Sequence, residues 1–168
     1  FLFLCGSGYN NAYLGLFIIS LVYLLFVWKV FRSSNRSSAL KYGVRIVAST
    51  IPITFLMCWA QPQLYITWLH VLFIGCFGLI TFAVATRVTL AHGSYSTDLE
   101  TKSKALWMVV SFLTLGIISR ILYGFSDNLW RKSYLHLAAT FWVLAVICWG
   151  VGFFIKIFKP GPEARRSC

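Results

Sequence analysis

The stretch RIVASTIPITFLMCWAQPQLYITWLHVLFIGCFGLITFAVATR, from Arg45 to Arg87, decides the fold. Between its terminal arginines stand 41 residues without Lys, Arg, Asp or Glu. A membrane helix needs roughly 20 mainly apolar residues, so this stretch is too long for one crossing and suits two. Proline interrupts a helix and restricts the residue before it, so Gln61-Pro62-Gln63 predicts the turn. We therefore expect a membrane hairpin with helices at about 44–60 and 64–90, and Pro52 predicts a kink in the first.

Three further apolar segments flank this hairpin. The first covers about 10–31 and ends in a basic cluster, and the others cover about 105–125 and 134–158. Thr97-Asp98-Leu99-Glu100 has the S/T-x-x-E pattern of a capping box ahead of the fourth segment, and Ser126 and Asp127 can cap the fifth. The sequence therefore predicts one all-α domain over residues 1–168. It is a polytopic membrane helix bundle of about five transmembrane helices, with a solvated tail at 159–168.

The composition is that of a membrane protein, and the distribution of its basic residues predicts an orientation. Hydrophobic residues make up 59% of the chain and charged residues 11%, whereas a soluble domain has about a quarter charged. Of 15 Lys and Arg, 12 lie in or beside the first loop, the third loop and the tail, and the other side holds Arg120, Arg131 and Lys132. Because cytoplasmic loops collect basic residues, we expect the N-terminus outside and the C-terminus in the cytoplasm. The net charge of +11 then reports orientation, and no nucleic-acid partner is needed to explain it.

Several kinds of site are excluded by the residues that the chain lacks. The five cysteines form no C-x-x-C pair and no haem-attachment motif. There is no Gly-rich phosphate loop and no pair of carboxylates, and the four acids all lie in loops or in the tail. Carboxylate-driven proton pumping therefore has no residues to use. The sequence assigns no catalytic residue and leaves open whether the chain is an enzyme.

Histidines inside the spans are the strongest functional signal, because ionisable groups in a membrane are costly. His70 is six residues into the third helix and His136 is nine residues past Asp127, so the two lie at similar depth near the outer face. His92 follows His70 by 22 residues, roughly 33 Å of helix, and belongs to the cytoplasmic end. Imidazole is a ligand for haem iron and for copper, and helix bundles build such sites from facing helices. The alternative is that each histidine only hydrogen-bonds a neighbouring helix.

Two arginines and two glycines complete the candidate set. Arg120 lies deep enough in the fourth helix to need a partner, and an anionic haem propionate would serve. Arg87 lies at a helix end, from which its side chain can reach the headgroups. Gly75 and Gly78 would allow close approach to a ring.

These residues resemble a known family. Thr86-Arg87-Val88-Thr89-Leu90-Ala91-His92-Gly93 is similar to the T-R-x-x-L-x-H-x-G signature of the NnrS family, with Gly93 one residue nearer the histidine than in that pattern. The family comprises membrane proteins associated with haem, copper and the nitric-oxide response. Leu69-His70, Ser119-Arg120-Ile121-Leu122 and Leu135-His136-Leu137 fall in the matching order, and the likeness covers about Trp68 to Pro160. The chain departs from the pattern at Ala91, where the family usually has glycine. It departs again at Ser94-Tyr95, which replaces in part a threonine-glycine environment.

The resemblance implies a role for each of these residues. It makes His70 and His136 candidate haem or copper ligands, marks Arg120 as a buried cation beside the cofactor, and marks Arg87, His92 and Gly93 as the signature. It also implies a bacterial inner (cytoplasmic) membrane. The family typically has about twice this many spans, so the chain corresponds to its C-terminal half. Its partners would then be the lipid bilayer and either other membrane subunits or a missing N-terminal half.

Two functions of different classes follow. The first is a haem-binding or copper-binding membrane protein linked to nitric-oxide and nitrosative-stress handling or to electron transfer. The alternative is a cofactor-free accessory or structural subunit of a larger membrane complex, which the short chain, the scarcity of acids and the aromatic helices favour. A transporter is the weakest interpretation, because no inverted repeat is evident and Pro52 is the only candidate break.

Overall fold

The computed structural model describes residues 10–28, 38–96 and 98–159, and within them every regular element is a helix. Helix α1 spans Asn10–Val22 and continues as a π-helical segment, Tyr23–Trp28. The next crossings are α2 (Ala39–Ala60), then a 3-10 turn (Pro62–Leu64), α3 (Tyr65–Leu72), a π-helical segment (Phe73–Gly78) and α4 (Leu79–His92). A short α5 (Asp98–Lys102) leads to α6 (Lys104–Phe125) and α7 (Asn128–Phe158). The predicted all-α membrane bundle is confirmed.

Four of the described helices are long and apolar enough to cross a membrane. They cover Ala39–Ala60, Pro62–His92, Lys104–Phe125 and Asn128–Phe158. The first predicted span is represented by a shorter apolar helix, Asn11–Val27, and the basic cluster expected at its end lies outside the described residues. The predicted tail also lies outside them, apart from Lys159, and the orientation of the termini stays a prediction.

Two helices begin earlier than their apolar segments suggest. Helix α2 begins at Ala39 and α7 at Asn128, each after an extended residue, Ser38 or Asp127. The helical backbone continues through the polar residues beside each apolar segment. Helix bounds that are taken from apolar content alone leave these residues out. Asp127 stands at the N-cap of α7 as predicted, but its side chain makes no capping hydrogen bond; its carbonyl oxygen accepts from the amides of Trp130 and Arg131.

The hairpin turn lies where the sequence predicts it. Helix α2 runs through Pro52 and ends at Ala60, where the Gln61 amide donates to the carbonyl of Met57 at 2.8 Å. Pro62 then opens the 3-10 turn, a position where its missing N–H costs nothing. The π-helical segment Phe73–Gly78 was not predicted, because it comes from a local shift of backbone hydrogen bonds.

Helix α6 is central to the packing. Its residues Val109 and Leu113 are buried with Val47 of α2, Leu79 of α4 and Phe153 of α7 in the main core. A second cluster near the α6–α7 turn joins Tyr13, Cys58, Trp68 and Val71. Helix α7 lies at the periphery, because only Ala138, Ala145 and Phe153 of its residues are buried.

Candidate functional site

The first residue of the signature joins two helices. Thr86 is fully buried, and its hydroxyl donates to the carbonyl of Phe82 at 2.7 Å. The same oxygen accepts from the indole Nε1 of Trp149 on α7 at 2.9 Å. Trp149 in turn stacks on Phe153, with ring centroids 6.0 Å apart. Thr86 therefore fixes α4 against α7 through a hydrogen bond inside the bundle.

The signature arginine is held by an acid that sequence reasoning assigned elsewhere. Arg87 Nε lies 3.4 Å from Glu100 Oε2, and its Nη2 donates to Oε1 at 3.4 Å. Ser38 Oγ donates to the same Oε1 at 3.2 Å. The Arg87 side chain is 72% exposed and that of Glu100 only 11%. Arg87 does reach the surface, but its guanidinium also pairs with Glu100. The predicted capping box cannot be followed to its first residue, because Thr97 lies outside the described residues.

We expect Glu100→Gln to lower the free energy of unfolding by about 1 kcal/mol, because exposure of Arg87 to solvent weakens the pair. The amide can still accept from Ser38, so the loss comes from the charge. The measurement is thermal unfolding in micelles at low and high salt. The difference between wild type and variant should shrink at high salt, where the exposed guanidinium is screened. A difference that is independent of salt would argue against the ion pair.

Helix α4 ends in a Schellman motif at the end of the signature. The Tyr95 amide donates to the carbonyl of Leu90 at 3.0 Å, and the Ser94 amide donates to that of Ala91 at 3.2 Å. Ser94 takes the left-handed conformation, with φ of 51°, which glycine usually supplies at this position. A Cβ on Gly93 would lie 2.6 Å from the ring of Tyr95 and 3.0 Å from the Thr89 oxygen. The glycine is therefore required by close approach of the next loop.

Ser94→Gly should raise the free energy of unfolding by about 0.5–1 kcal/mol, because a non-glycine residue in the left-handed region is strained. Chemical or thermal unfolding in micelles measures the change. Ser96→Gly is the matched control, since Ser96 lacks the positive φ and its hydroxyl accepts from the Asp98 amide. An equal gain at both positions would contradict the explanation.

His70 has one ring nitrogen engaged and the other available. It lies exposed on α3, and its Nδ1 is 2.8 Å from the carbonyl oxygen of Ile66. A carbonyl only accepts, so Nδ1 carries a proton, and in the neutral imidazole Nε2 is then the nitrogen with the lone pair. This arrangement fixes the tautomer and the ring orientation, as hydrogen bonds to metal-binding histidines do.

His136 lies at a similar depth on another helix. Two close approaches to α6 relate the depths of these helices. Gly75, just after α3, lies against Ile117 of α6, and Gly116 of α6 lies against the carbonyl of Ala138 on α7. His70 is five residues from Gly75 and His136 two from Ala138, both toward the α6–α7 turn. At the helical rise the two differ in depth by roughly 5 Å. Both side chains are exposed, and no contact in the described part of the chain joins them.

Arg120 is the buried cation that its depth predicted. Only 5% of the residue is exposed, and its guanidinium carbon lies 4.8 Å from the ring centroid of Tyr123. Its Nε has no hydrogen-bond partner among the described residues. His92, by contrast, is exposed at the far end of α4, beside the Schellman turn. The structure therefore divides the candidate residues between two ends: His70, Arg120 and His136 at one, and Arg87, His92 and Gly93 at the other.

Residues 10–28, 38–96 and 98–159 contain no group of three or more His, Cys, Asp or Glu side chains that could hold a metal ion. A haem takes one or two axial ligands from the protein, so it makes a smaller demand than a metal held only by side chains.

A comparison with protein families decides the relationship. The family model described as NnrS protein matches residues 2–160. The chain belongs to the NnrS family. The match extends further than the likeness seen from Trp68 to Pro160, because it also takes in α1 and α2. No curated protein and no solved structure matches the chain.

Family membership and the four apolar helices make this chain an integral membrane protein, consistent with a role in the nitric-oxide response. Sequence reasoning found the histidines, Arg120 and the NnrS signature, but it missed residues that approach through the fold. Glu100 pairs with Arg87 and accepts a hydrogen bond from Ser38, which lies 62 residues away in the chain, and a second arginine, Arg131, reaches Tyr123 at 5.5 Å. The chain has only four acids, and this scarcity was the signal that could have drawn attention to Glu100. A buried acid needs a basic partner, so each acid of such a chain is a candidate for an ion pair.

Proposed function

We propose that this NnrS-family protein binds haem, or copper, through His70 and His136, and serves nitric-oxide handling or electron transfer in a bacterial inner membrane. The observation that carries the proposal is the fixed His70 ring. Its Nδ1–H bonds to the Ile66 carbonyl, which leaves Nε2 on an exposed face as the nitrogen that the neutral ring would offer to a metal. Because the hydrogen bond already restrains the ring, metal binding costs less conformational freedom than it would for an unrestrained side chain.

The residues present fit a haem. His70 and His136 offer imidazoles at similar depth, and Arg120 offers a buried guanidinium whose Nε lacks an acceptor in the described part of the chain. His70 would hold the iron, with His136 as the second candidate ligand, and Arg120 would bind a carboxylate of the cofactor. Bound haem would supply an iron centre for nitric-oxide capture or for electron transfer.

Both rings face away from the core of this chain, so the proposal includes a partner that covers them. Helix α7 supports a partner on this face, because only 11% of its 18-residue apolar stretch is buried within the bundle, against 33–39% for the other three spans. Membrane helices from another subunit, or from a further part of the polypeptide, would pack on this face. With the N-terminus outside, the histidines would lie toward the outer leaflet.

Haem titration of purified variants tests the assignment. His70→Ala and His136→Ala should each weaken haem binding by about tenfold or more, because loss of a hydrogen-bond partner of a ligand already costs about that much. His92→Ala is the matched control, since His92 is also exposed but lies at the opposite end of α4. Equal affinity in all four proteins, with copper binding also unchanged, would overturn the proposed ligands.

The accessory-subunit function stays as the second candidate, and the exposed face of α7 favours it. Purification from native membranes in a mild detergent distinguishes the two. A colourless protein that co-purifies in fixed ratio with a larger complex would support the subunit. A coloured protein whose band needs His70 would support the first proposal.

A further inference from the structure

Two arginines from different helices contact the same aromatic ring near the α6–α7 turn. The guanidinium carbon of Arg120 lies 4.8 Å from the ring centroid of Tyr123, and that of Arg131 lies 5.5 Å from it. Arg120 is on α6 and almost fully buried, whereas Arg131 is in the first turn of α7 and half-buried. The turn between the helices brings two positive charges to one side chain.

Neither guanidinium is balanced by an acid. The Nε atoms of both arginines lack hydrogen-bond partners in the described part of the chain, and neither arginine forms an ion pair there. The one acid in the turn, Asp127, uses its backbone carbonyl for the amides of Trp130 and Arg131 and makes no salt bridge to a described residue. Contact with an aromatic face offsets only part of the cost of burying a charge.

We propose that Arg120, Tyr123 and Arg131 form a binding site for a phosphate group, occupied by the headgroup of a membrane phospholipid. Guanidinium groups match the oxygens of phosphate through paired N–H donors, and two of them can bind different oxygens of one group. The site lies at the end of two membrane helices, where headgroup phosphates are the abundant anions. The Tyr123 ring contacts both cations.

This site does not need the histidine ligands of the proposed cofactor, but it shares Arg120 with the proposed carboxylate contact. It gives Arg120 a ligand in the protein without haem. His70→Ala tests only the haem proposal and Arg131→Gln tests only the lipid site, so the two proposals fail independently.

Native mass spectrometry of the purified full chain tests the site. Delipidated protein in maltoside micelles would be titrated with phosphatidylglycerol and, separately, with diacylglycerol of the same acyl chains. We expect Arg120→Gln to weaken phosphatidylglycerol binding by about tenfold, as befits a lost charge-assisted hydrogen bond. Arg131→Gln should weaken it by about threefold, because the side chain is only half-buried. Diacylglycerol should bind weakly to every variant.

Lys132→Gln is the matched control, because Lys132 is an exposed cation next to Arg131. It should change the affinity by less than about twofold, as expected for a solvated charge. If Arg120→Gln does not fold, Arg131→Gln and Arg120→Lys still test the site. In a separate arm, the same delipidated protein is titrated with sodium phosphate, a soluble source of phosphate, and with sodium chloride at equal ionic strength for comparison. Arg120-dependent binding of inorganic phosphate without lipid would contradict the lipid assignment. Equal lipid binding by wild type and both glutamine variants would overturn the site.

Discussion

Replacing Gly75 by valine is expected to lower the free energy of unfolding by about 3 kcal/mol, the upper part of the range for overpacked cores. Gly75 lies in the π-helical segment between α3 and α4, where α2 and α6 both approach. A Cβ there would lie 2.9 Å from Cγ2 and from Oγ1 of Thr50, and 3.0 Å from Cδ1 of Ile117. Two helices would have to move to make room, so even alanine should cost about 2 kcal/mol.

The same segment supplies its own control. A Cβ on Gly78 would meet its nearest neighbours at 3.7 and 3.8 Å, which is ordinary contact. Gly78→Ala should therefore be neutral or stabilise by up to about 1 kcal/mol, because alanine favours a helical backbone. Thr50→Ala removes both atoms nearest to Gly75 and should rescue most of the loss in Gly75→Ala. Equal losses at the two glycines, or no rescue, would contradict the close packing of α2, α3 and α6.

Thr86→Val is expected to destabilise the protein by about 2 kcal/mol, because it leaves the indole N–H of Trp149 without an acceptor inside the bundle. Valine has nearly the same shape, so no cavity forms and the loss reports the hydrogen bond. Trp149→Phe removes the donor as well. In that background Thr86→Val should cost about 0.5 kcal/mol, and the difference is the coupling energy of the pair. Unfolding in micelles measures all four proteins.

Thr81→Val serves as the comparison for the helix itself. Thr81 lies about one and a half turns before Thr86, and its hydroxyl donates to the carbonyl of Phe77 in the same intrahelical manner. It is exposed, however, and has no hydrogen bond to a described tryptophan. Its replacement should change stability by less than about 0.5 kcal/mol. If Thr81→Val and Thr86→Val cost the same, the signature threonine does not act through α7.

The sequence predicts those features that depend on the local chain. The apolar stretch around Gln61-Pro62-Gln63 predicts a hairpin because each helix must satisfy its own backbone in a bilayer. The rise of a helix predicts the depth of His70 and His136 and the burial of Arg120. It does not predict that both imidazoles are exposed, because that depends on how α3 and α7 rotate against α6.

Contacts between distant residues are what the sequence leaves undetermined. Glu100 has the spacing of a capping residue, yet its carboxylate binds Ser38 and Arg87. Arg131 counts only toward the charge of its loop until the α6–α7 turn places it on Tyr123. In each case a charged group lowers its energy by finding a partner across the fold, and the local pattern carries no information about that partner.

The visible absorption spectrum of the protein purified from membranes, with copper analysis on the same sample, tests the central claim most directly. The claim predicts a Soret band or bound copper in the wild-type protein, lost in His70→Ala and retained in His92→Ala. Where haem is bound through a single histidine, nitric oxide should shift the band. A protein with neither a Soret band nor copper, before and after added haem, would contradict the claim.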